Sequence, residues 1–340
     1  MTIQEPEPVR ILFPELPIVD PHHHLSDSFQ YDLDDLLGDM GAGHRVVATV
    51  HVEVRSEDYL STGPSHLAPV GETRTLSAML ASDETRRVKP CAGLVARADL
   101  DLPRDAFEEL IFAHREAAPD RFRGVRSRHL VHLPPERGYR VEPSQGWRAA
   151  MASNDLIANV MTLGELGLTL DILCTHEQLR AITSLAERAP ATRFVINHLG
   201  LPSGVDLAQS TAEELLAEWR RAIAGLTHHE NIYVKLGGCL NPMFSEAAPV
   251  LSKLARSASP ACMAAIAEAY RPLVLAVIDS LGAQRCMFES NFPVDGAHCE
   301  YATLWNAFKL AVFDRSHEDL AWLFHKSAIA AYALDPGLVP

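Results

Sequence analysis

Near the start of the chain an aspartate and a proline lead into three consecutive imidazoles, Asp20-Pro21-His22-His23-His24. In extended backbone successive side chains point to opposite faces, so His22 and His24 share one face and His23 takes the other. Two imidazoles side by side are half of what a divalent cation requires, and they can also polarise a carbonyl or move a proton. Further polar groups end other apolar runs. They are His51 and Glu53 in "TVHVEV", Arg123, Arg126 and Arg128 in "RFRGVRSRHL", His176 in "LTLDILCTH", and Asn197 with His198 in "INHLG". Lys235 in "VKLGG" and Glu289, Asn291 and Asp295 in "MFESNFPVD" complete the set. Imidazoles are ligands, carboxylates carry protons, and guanidinium or ammonium groups bind anionic substrate.

These residues are useful only if something gathers them. The apolar runs cover residues 17–24, 45–54, 89–100, 121–130, 168–176, 193–200, 231–239 and 285–295, and helix-period segments such as "DAFEELIFAHREA" and "EQLRAITSLAERA" separate them. Strands alternating with helices pair in parallel through right-handed crossovers. Eight units predict a single α/β domain over 1–340, a (β/α)8 TIM barrel with its strands within 17–295. Two closing helices are expected over 297–335. No GxGxxG follows the first strand, which disfavours an open dinucleotide-binding sheet. About 45 residues lie between the seventh and eighth runs, more than one crossover helix requires, and a lid bearing Met243 and Phe244 is expected there.

In such a barrel the C-terminal strand ends form the active face. His22, His24, His176 and His198 then converge from three strands as candidate metal ligands, while His23 is expected to be structural. Glu53, His176, Glu289, Asn291 and Asp295 are the catalytic candidates. His51, Arg123, Arg126 and Lys235 are the candidates for substrate binding. Each has a plainer reading beside it: His176 could cap a helix, Glu53 could pair with Arg126, and the arginines could serve barrel ion pairs.

The D-x-H-x-H strand, together with "PVGET", "RFRGVR", "THEQL", "INHLG", "VKLGG", "MFESNFPVD" and "LFHKSAIAAYAL", resembles the amidohydrolase-2 branch of the amidohydrolase superfamily. That branch holds metal-dependent TIM-barrel hydrolases, among them sugar lactonases and the hydrolase of 2-pyrone-4,6-dicarboxylate. The resemblance implies a site at His22, His24 and His198, with His176 beside them and Arg126 toward an anionic or carbonyl group of the substrate. Relatives often end the eighth strand in G-S-D-W-P; here Asn291 stands where they carry the aspartate. An amide cannot take a proton at neutral pH, so either Glu289 has taken over, or another carboxylate such as Glu53 or Asp295 serves, or the hydrolytic reaction is lost.

Composition sets the outer bounds. The formal charge is −14, without the basic stripe that nucleic acid requires. Neither an uncharged apolar run long enough to span a bilayer nor a signal peptide is visible, which predicts a cytoplasmic protein with no membrane partner. The six cysteines form no CxxC pair and read as reduced core residues. The activity the resemblance implies is attack of activated water on a lactone or related cyclic ester of an anionic small molecule, with a divalent metal, zinc before manganese, or with histidines alone polarising the carbonyl. A metal-dependent decarboxylase or hydratase, and a binding barrel without catalysis, are the alternatives. A homo-oligomer is compatible with all three.

Overall fold

The computed structural model describes residues 10–81, 87–127, 131–132, 142–202, 212–238, 240 and 259–339. Its strands are β1 (Ile18–His23), β2 (Val46–Val52), β3 (Lys89–Arg97), β4 (Phe122–Ser127), β5 (Val131–His132), β6 (Glu142–Pro143), β7 (Thr169–Ile172), β8 (Arg193–Ile196), β9 (Ile232–Lys235) and β10 (Cys286–Met287). All but β5 and β6 form one eight-stranded sheet, in the order β1-β2-β3-β4-β7-β8-β9-β10, every pair parallel. The cylinder is drawn together beyond β10, where Asn291 N–H donates to the His22 carbonyl at 2.9 Å and His24 N–H to the Phe292 carbonyl at 2.7 Å. Each of the eight predicted runs contains one barrel strand. The antiparallel pair β5–β6 is an addition to the expected pattern.

The helices are α1 (Leu33–Met40), α2 (Val70–Met79), α3 (Arg104–Ala117), α4 (Trp147–Met151), α5 (Asn154–Glu165), α6 (Leu179–Arg188), α7 (Ala212–Ala224), α8 (Pro260–Leu281), α9 (Tyr301–Ala311), α10 (His317–Ala321) and α11 (Ser327–Ala331). Local chemistry fixes their starts: Asp32 and Asp35 form a reciprocal capping box at α1, and Ser259 caps α8 with Pro260 in its first turn. Burial follows the 3.6-residue period, as in α6, whose Leu179, Ile182, Leu185 and Ala186 face inward. Among the described residues α8 alone has the length and hydropathy to cross a membrane; here it packs against α7 and α9 and buries Ile266, Tyr270, Val274 and Val277. The expected lid with Met243 and Phe244 lies outside the described residues.

Among the described residues two apolar cores result. One lies between the strands and the helical shell; the other fills the barrel with Val19, Ala48, Val50, Val52, Val95, Val195 and Met287. The lower end is closed by the C-terminal segment, since Ala328, Ala331, Tyr332 and Leu334 join this inner cluster. Arg193, the first residue of β8, fastens it by donating to the Ala331 carbonyl at 2.7 Å. Apolar packing therefore ends midway up the cylinder, and polar side chains occupy the opposite, C-terminal end.

Candidate active site

β1 does not run regularly into its histidines. The β1–β2 register shifts between Asp20 and His23, and buried Asp20 holds the irregular turn. Its carboxylate accepts from the Ser290 and His22 N–H groups at 3.0 and 3.3 Å and from the Tyr301 hydroxyl at 2.9 Å. Burial pushes the Asp20 carboxyl up to about 6. Beyond the turn His22 and His24 meet, Nε2 to Nε2, at 3.3 Å with their rings nearly perpendicular. His23 turns the other way, its Nε2 2.9 Å from Thr49 Oγ1 and 3.7 Å from Cys91 Sγ.

Each inner imidazole is held through Nδ1. His24 Nδ1 lies 2.8 Å from the Val52 carbonyl, which can only accept, so in the neutral ring Nε2 is a lone pair aimed at His22. His198, just past β8, brings its ring to 4.8 Å from that of His22. Glu289, just past β10, joins the two: Oε1 accepts from His198 Nδ1 at 2.7 Å and from its backbone N–H at 3.1 Å, and Oε2 stands 2.7 Å from His22 Nδ1. Glu289 is wholly buried, with the His22 imidazole the partner of Oε2. Gly237 and Gly238 are flush against this pair. A Cβ on Gly237 would lie 2.2 Å from the Glu289 carbonyl oxygen, and one on Gly238, where φ is +72°, would lie 2.1 Å from His198 Nδ1.

Beneath the imidazoles is a buried polar floor. Lys235, the last residue of β9, pairs with Asp171 of β7 at 2.8 Å and reaches His22 Nδ1 at 3.2 Å. Asp171 also accepts from Asn197 Nδ2 at 3.0 Å and from the Tyr332 hydroxyl at 2.9 Å. Burial, followed by the nearby Lys235, His198, His24 and Arg126 charges, holds the His22 imidazole well below the usual histidine range. Lys235 was expected to bind substrate; it is fully buried and committed to Asp171, so it supports His22 from below.

Across the mouth Arg126 donates from Nε to Glu53 Oε1 at 2.7 Å and from Nη2 to the Glu53 carbonyl at 2.6 Å. Asn291 has positive φ, and its amide donates to Asp295 Oδ1 at 2.9 Å. A carboxylate thus stands within one hydrogen bond of the amide that replaces the expected aspartate.

Two expected substrate binders are elsewhere. His51 points out of the barrel, with Nδ1 accepting from Leu25 N–H and Nε2 3.2 Å from Glu72 on α2, because its neighbours Val50 and Val52 take the inward face. Arg123 lies three residues before Arg126, toward the start of β4 and so at the opposite end of the barrel. It donates to the Phe122 and Asp120 carbonyls and lines a floor cavity with Lys89, Ala92 and Leu334. Arg128 lies outside the described residues. His176 begins a short 3-10 turn after β7, its N–H bonded to the Leu201 carbonyl. Among the described residues, the group whose donor atoms all fall within 4.8 Å of one another is His22, His198 and Glu289, and neither His24 nor His176 is part of it.

Comparison with known proteins places this architecture. The Amidohydro_2 model, described as amidohydrolase, matches residues 19–334. The chain belongs to the amidohydrolase family. An uncharacterised protein of Sinorhizobium fredii, y4mH, is 25% identical over 94% of this chain and 99% of its own length. An L-fucono-1,5-lactonase of Burkholderia ambifaria is 31% identical over a 127-residue stretch, 37% of this chain and 35% of that one. A Burkholderia multivorans amidohydrolase solved with bound zinc superposes with a TM-score of 0.67 at 22% identity, over 94% of this chain and 99% of that one.

The donor set of this amidohydrolase suits a divalent cation. Two ligands about 2.1 Å from a tetrahedral ion lie roughly 3.4 Å apart, close to the 3.3 Å between the His22 and His24 Nε2 atoms. Buried Glu289, 2.7 Å from His22 Nδ1 on the far side of that ring, orients His22 as a ligand. Protonation decides between two states. With His22 protonated on Nδ1, toward Glu289, both Nε2 lone pairs converge as ligands. With His22 protonated on Nε2, Lys235 donates to Nδ1, His22 to His24 and His24 to the Val52 carbonyl, a chain that needs no ion but requires Glu289 Oε2 to leave its 2.7 Å contact with His22 Nδ1.

Asp171, Tyr332 and Glu72 are the members that sequence reasoning passed over. Asp171 was visible as a lone carboxylate between Leu170 and Ile172 in an apolar strand, a charge that burial would force to find a partner. Tyr332 gave no such signal, since nothing in "AIAAYAL" says that the segment enters the barrel.

Proposed function

We propose that this amidohydrolase opens a lactone or related cyclic ester of a carboxylated small molecule by attack of water. The observation that carries the reading is the Glu289 carboxylate bridging His198 and His22, with His24 presenting a lone pair beside them. Family membership supports the hydrolase class, and the partial likeness to a lactonase supports the ester ring.

His22 and His24 would hold a divalent ion through Nε2, with His198 and Glu289 adjacent. Zinc is preferred, by ligand type and by the zinc-bound relative, and manganese is second. Such an ion polarises a carbonyl and lowers the pKa of water to about 7. The remaining work falls to side chains of this chain. Arg126, oriented by Glu53, supplies the positive charge that receives the substrate carboxylate. His198 keeps its Nδ1 proton on Glu289, so its Nε2 can take a proton from the attacking water and return it to the ring oxygen as the C–O bond breaks. Asp295, held by Asn291, is the second carboxylate able to relay that proton.

Lys235 at 3.2 Å from His22 favours a second reading, in which the metal-free hydrogen-bond chain operates and the histidines alone polarise the carbonyl. Both readings keep the protein in the cytoplasm, acting on a small anionic molecule and not on nucleic acid or a membrane.

The test is elemental analysis of purified protein together with a panel of carboxylated lactones. Near-stoichiometric metal, lost in His22→Ala/His24→Ala, with lactone opening supports the metal form. Lactone opening without metal selects the histidine form. Carbon dioxide release from aromatic acids, with no lactone opened, overturns both.

A further inference from the structure

The motif "PVGET" and the histidine of "TVHVEV" have no part in the chemistry above, yet the fold brings them together behind the mouth. Gly71 allows α2 to start against the β2–α2 loop, because a Cβ there would meet the Asp58 carbonyl oxygen at 2.0 Å. That approach delivers Glu72, which is buried, to the end of β2. Its Oε1 accepts from Val54 N–H at 2.8 Å and Arg55 N–H at 2.9 Å, and lies 3.2 Å from His51 Nε2. The opposite nitrogen of His51 accepts from Leu25 N–H at 3.2 Å, so the tautomer is fixed with the proton toward Glu72.

Both ends of this link meet the site. Leu25 follows His24, and Val54 follows Glu53, which holds Arg126. Val52, whose carbonyl fixes the His24 tautomer, lies between them. The rim of β1 and the rim of β2 are thus tied through one imidazole and one carboxylate. Arg55 bound to Asp27 and to Asp58, and Ser26 bound to Glu57, tighten the same two loops further out.

We infer that Glu72 and His51 are a positioning pair that sets the His24 lone pair and the Glu53–Arg126 clamp, so that ligand geometry at the mouth is controlled from outside the barrel. The inference rests on the reading of His24 as a ligand. Glu72→Ala removes the shared acceptor, Glu72→Gln keeps an oxygen in its place, and Leu76→Ala, one turn on in α2, removes buried apolar contact without touching the link.

Zinc affinity is measured on the full-length protein by competition with a chelator, beside the urea midpoint. Glu72→Ala is expected to weaken zinc about 10-fold, the low end of the cost of losing a group bonded to a ligand, because Glu72 acts on His24 through His51 and the backbone. Glu72→Gln is expected to stay near the parent value, and Leu76→Ala to lower the midpoint alone. Equal zinc affinity in Glu72→Ala and Leu76→Ala overturns the inference. A parent that binds no zinc is a failure of the metal reading instead, and the link is then read by nitrogen NMR of labelled histidines. His24 should carry its proton on Nδ1 in the parent and in Glu72→Gln, and exchange between nitrogens in Glu72→Ala. An unchanged His24 tautomer in Glu72→Ala overturns the inference without any metal.

Discussion

Gly238→Ala is the smallest change that should dismantle the site. Two effects add. The residue has φ +72°, and left-handed backbone costs an L-residue roughly 1–2 kcal/mol. The new methyl would also lie 2.1, 2.5 and 2.8 Å from three ring atoms of His198, so the imidazole has to leave its 2.7 Å contact with Glu289. Losing a hydrogen bond to a buried carboxylate costs about 1.5–3 kcal/mol, which brings the sum to about 2.5–5 kcal/mol. Gly167 supplies the control, since its φ is +70° and a Cβ there meets nothing within 4 Å. Gly167→Ala should therefore show the backbone cost alone, about 1–2 kcal/mol. Urea unfolding of both variants, read with unchanged m values, gives the comparison. Lactone kcat/KM should fall in Gly238→Ala and remain at the parent value in Gly167→Ala. Equal destabilisation by the two variants, or a Gly238→Ala protein of full activity, would refute the placement of His198 against Glu289.

Asp171→Asn removes the partner of a fully buried lysine and should cost about 3–5 kcal/mol in urea unfolding, with Asp171→Asn/Lys235→Met recovering part of that loss. Arg126→Lys cannot reproduce the paired N–H bonds to Glu53 that orient the charge and should raise KM for a carboxylated lactone about 10–100-fold with a smaller change in kcat, while an uncharged lactone is hardly affected. His114 is buried between Thr73 and the Arg97 carbonyl, and burial lowers its imidazole from 6.5 to about 4. Because the unfolded chain takes up that proton first, stability is complete above pH 6.5 and falls by about 1.4 kcal/mol per pH unit down to about 4. His114→Gln should flatten that slope in denaturant titrations at stepped pH.

The barrel was legible because each strand is a short apolar run between turn residues, and eight of these separated by helix-period segments leave few topologies. The site was legible where strand alternation holds near a strand end, as for His22 and His24. It was less so for His51 and Lys235, for two different reasons. His51 is on the outward face of β2, a parity that only register with the inner valines reveals. Lys235 does face inward, but its depth places it under the imidazoles, where Asp171 claims it. Arg123 and Arg126 are three residues apart, about 10 Å along a strand, and belong to opposite ends of the cylinder. Asn291 illustrates a different limit: its amide identity was plain, whereas its attachment to Asp295 depends on a positive φ that nothing in "ESNFPVD" announces.

The plug formed by the C-terminal segment also sets the order in which the enzyme can come into being. His22 and His24 leave the ribosome long before Tyr332, which is part of the floor beneath them. A chain interrupted before that tyrosine would carry the whole set of imidazoles above an Asp171 lacking one of its donors and a barrel open at its base. Activity is thereby reserved for chains synthesised past residue 332, and a truncation that removes Tyr332 should abolish it.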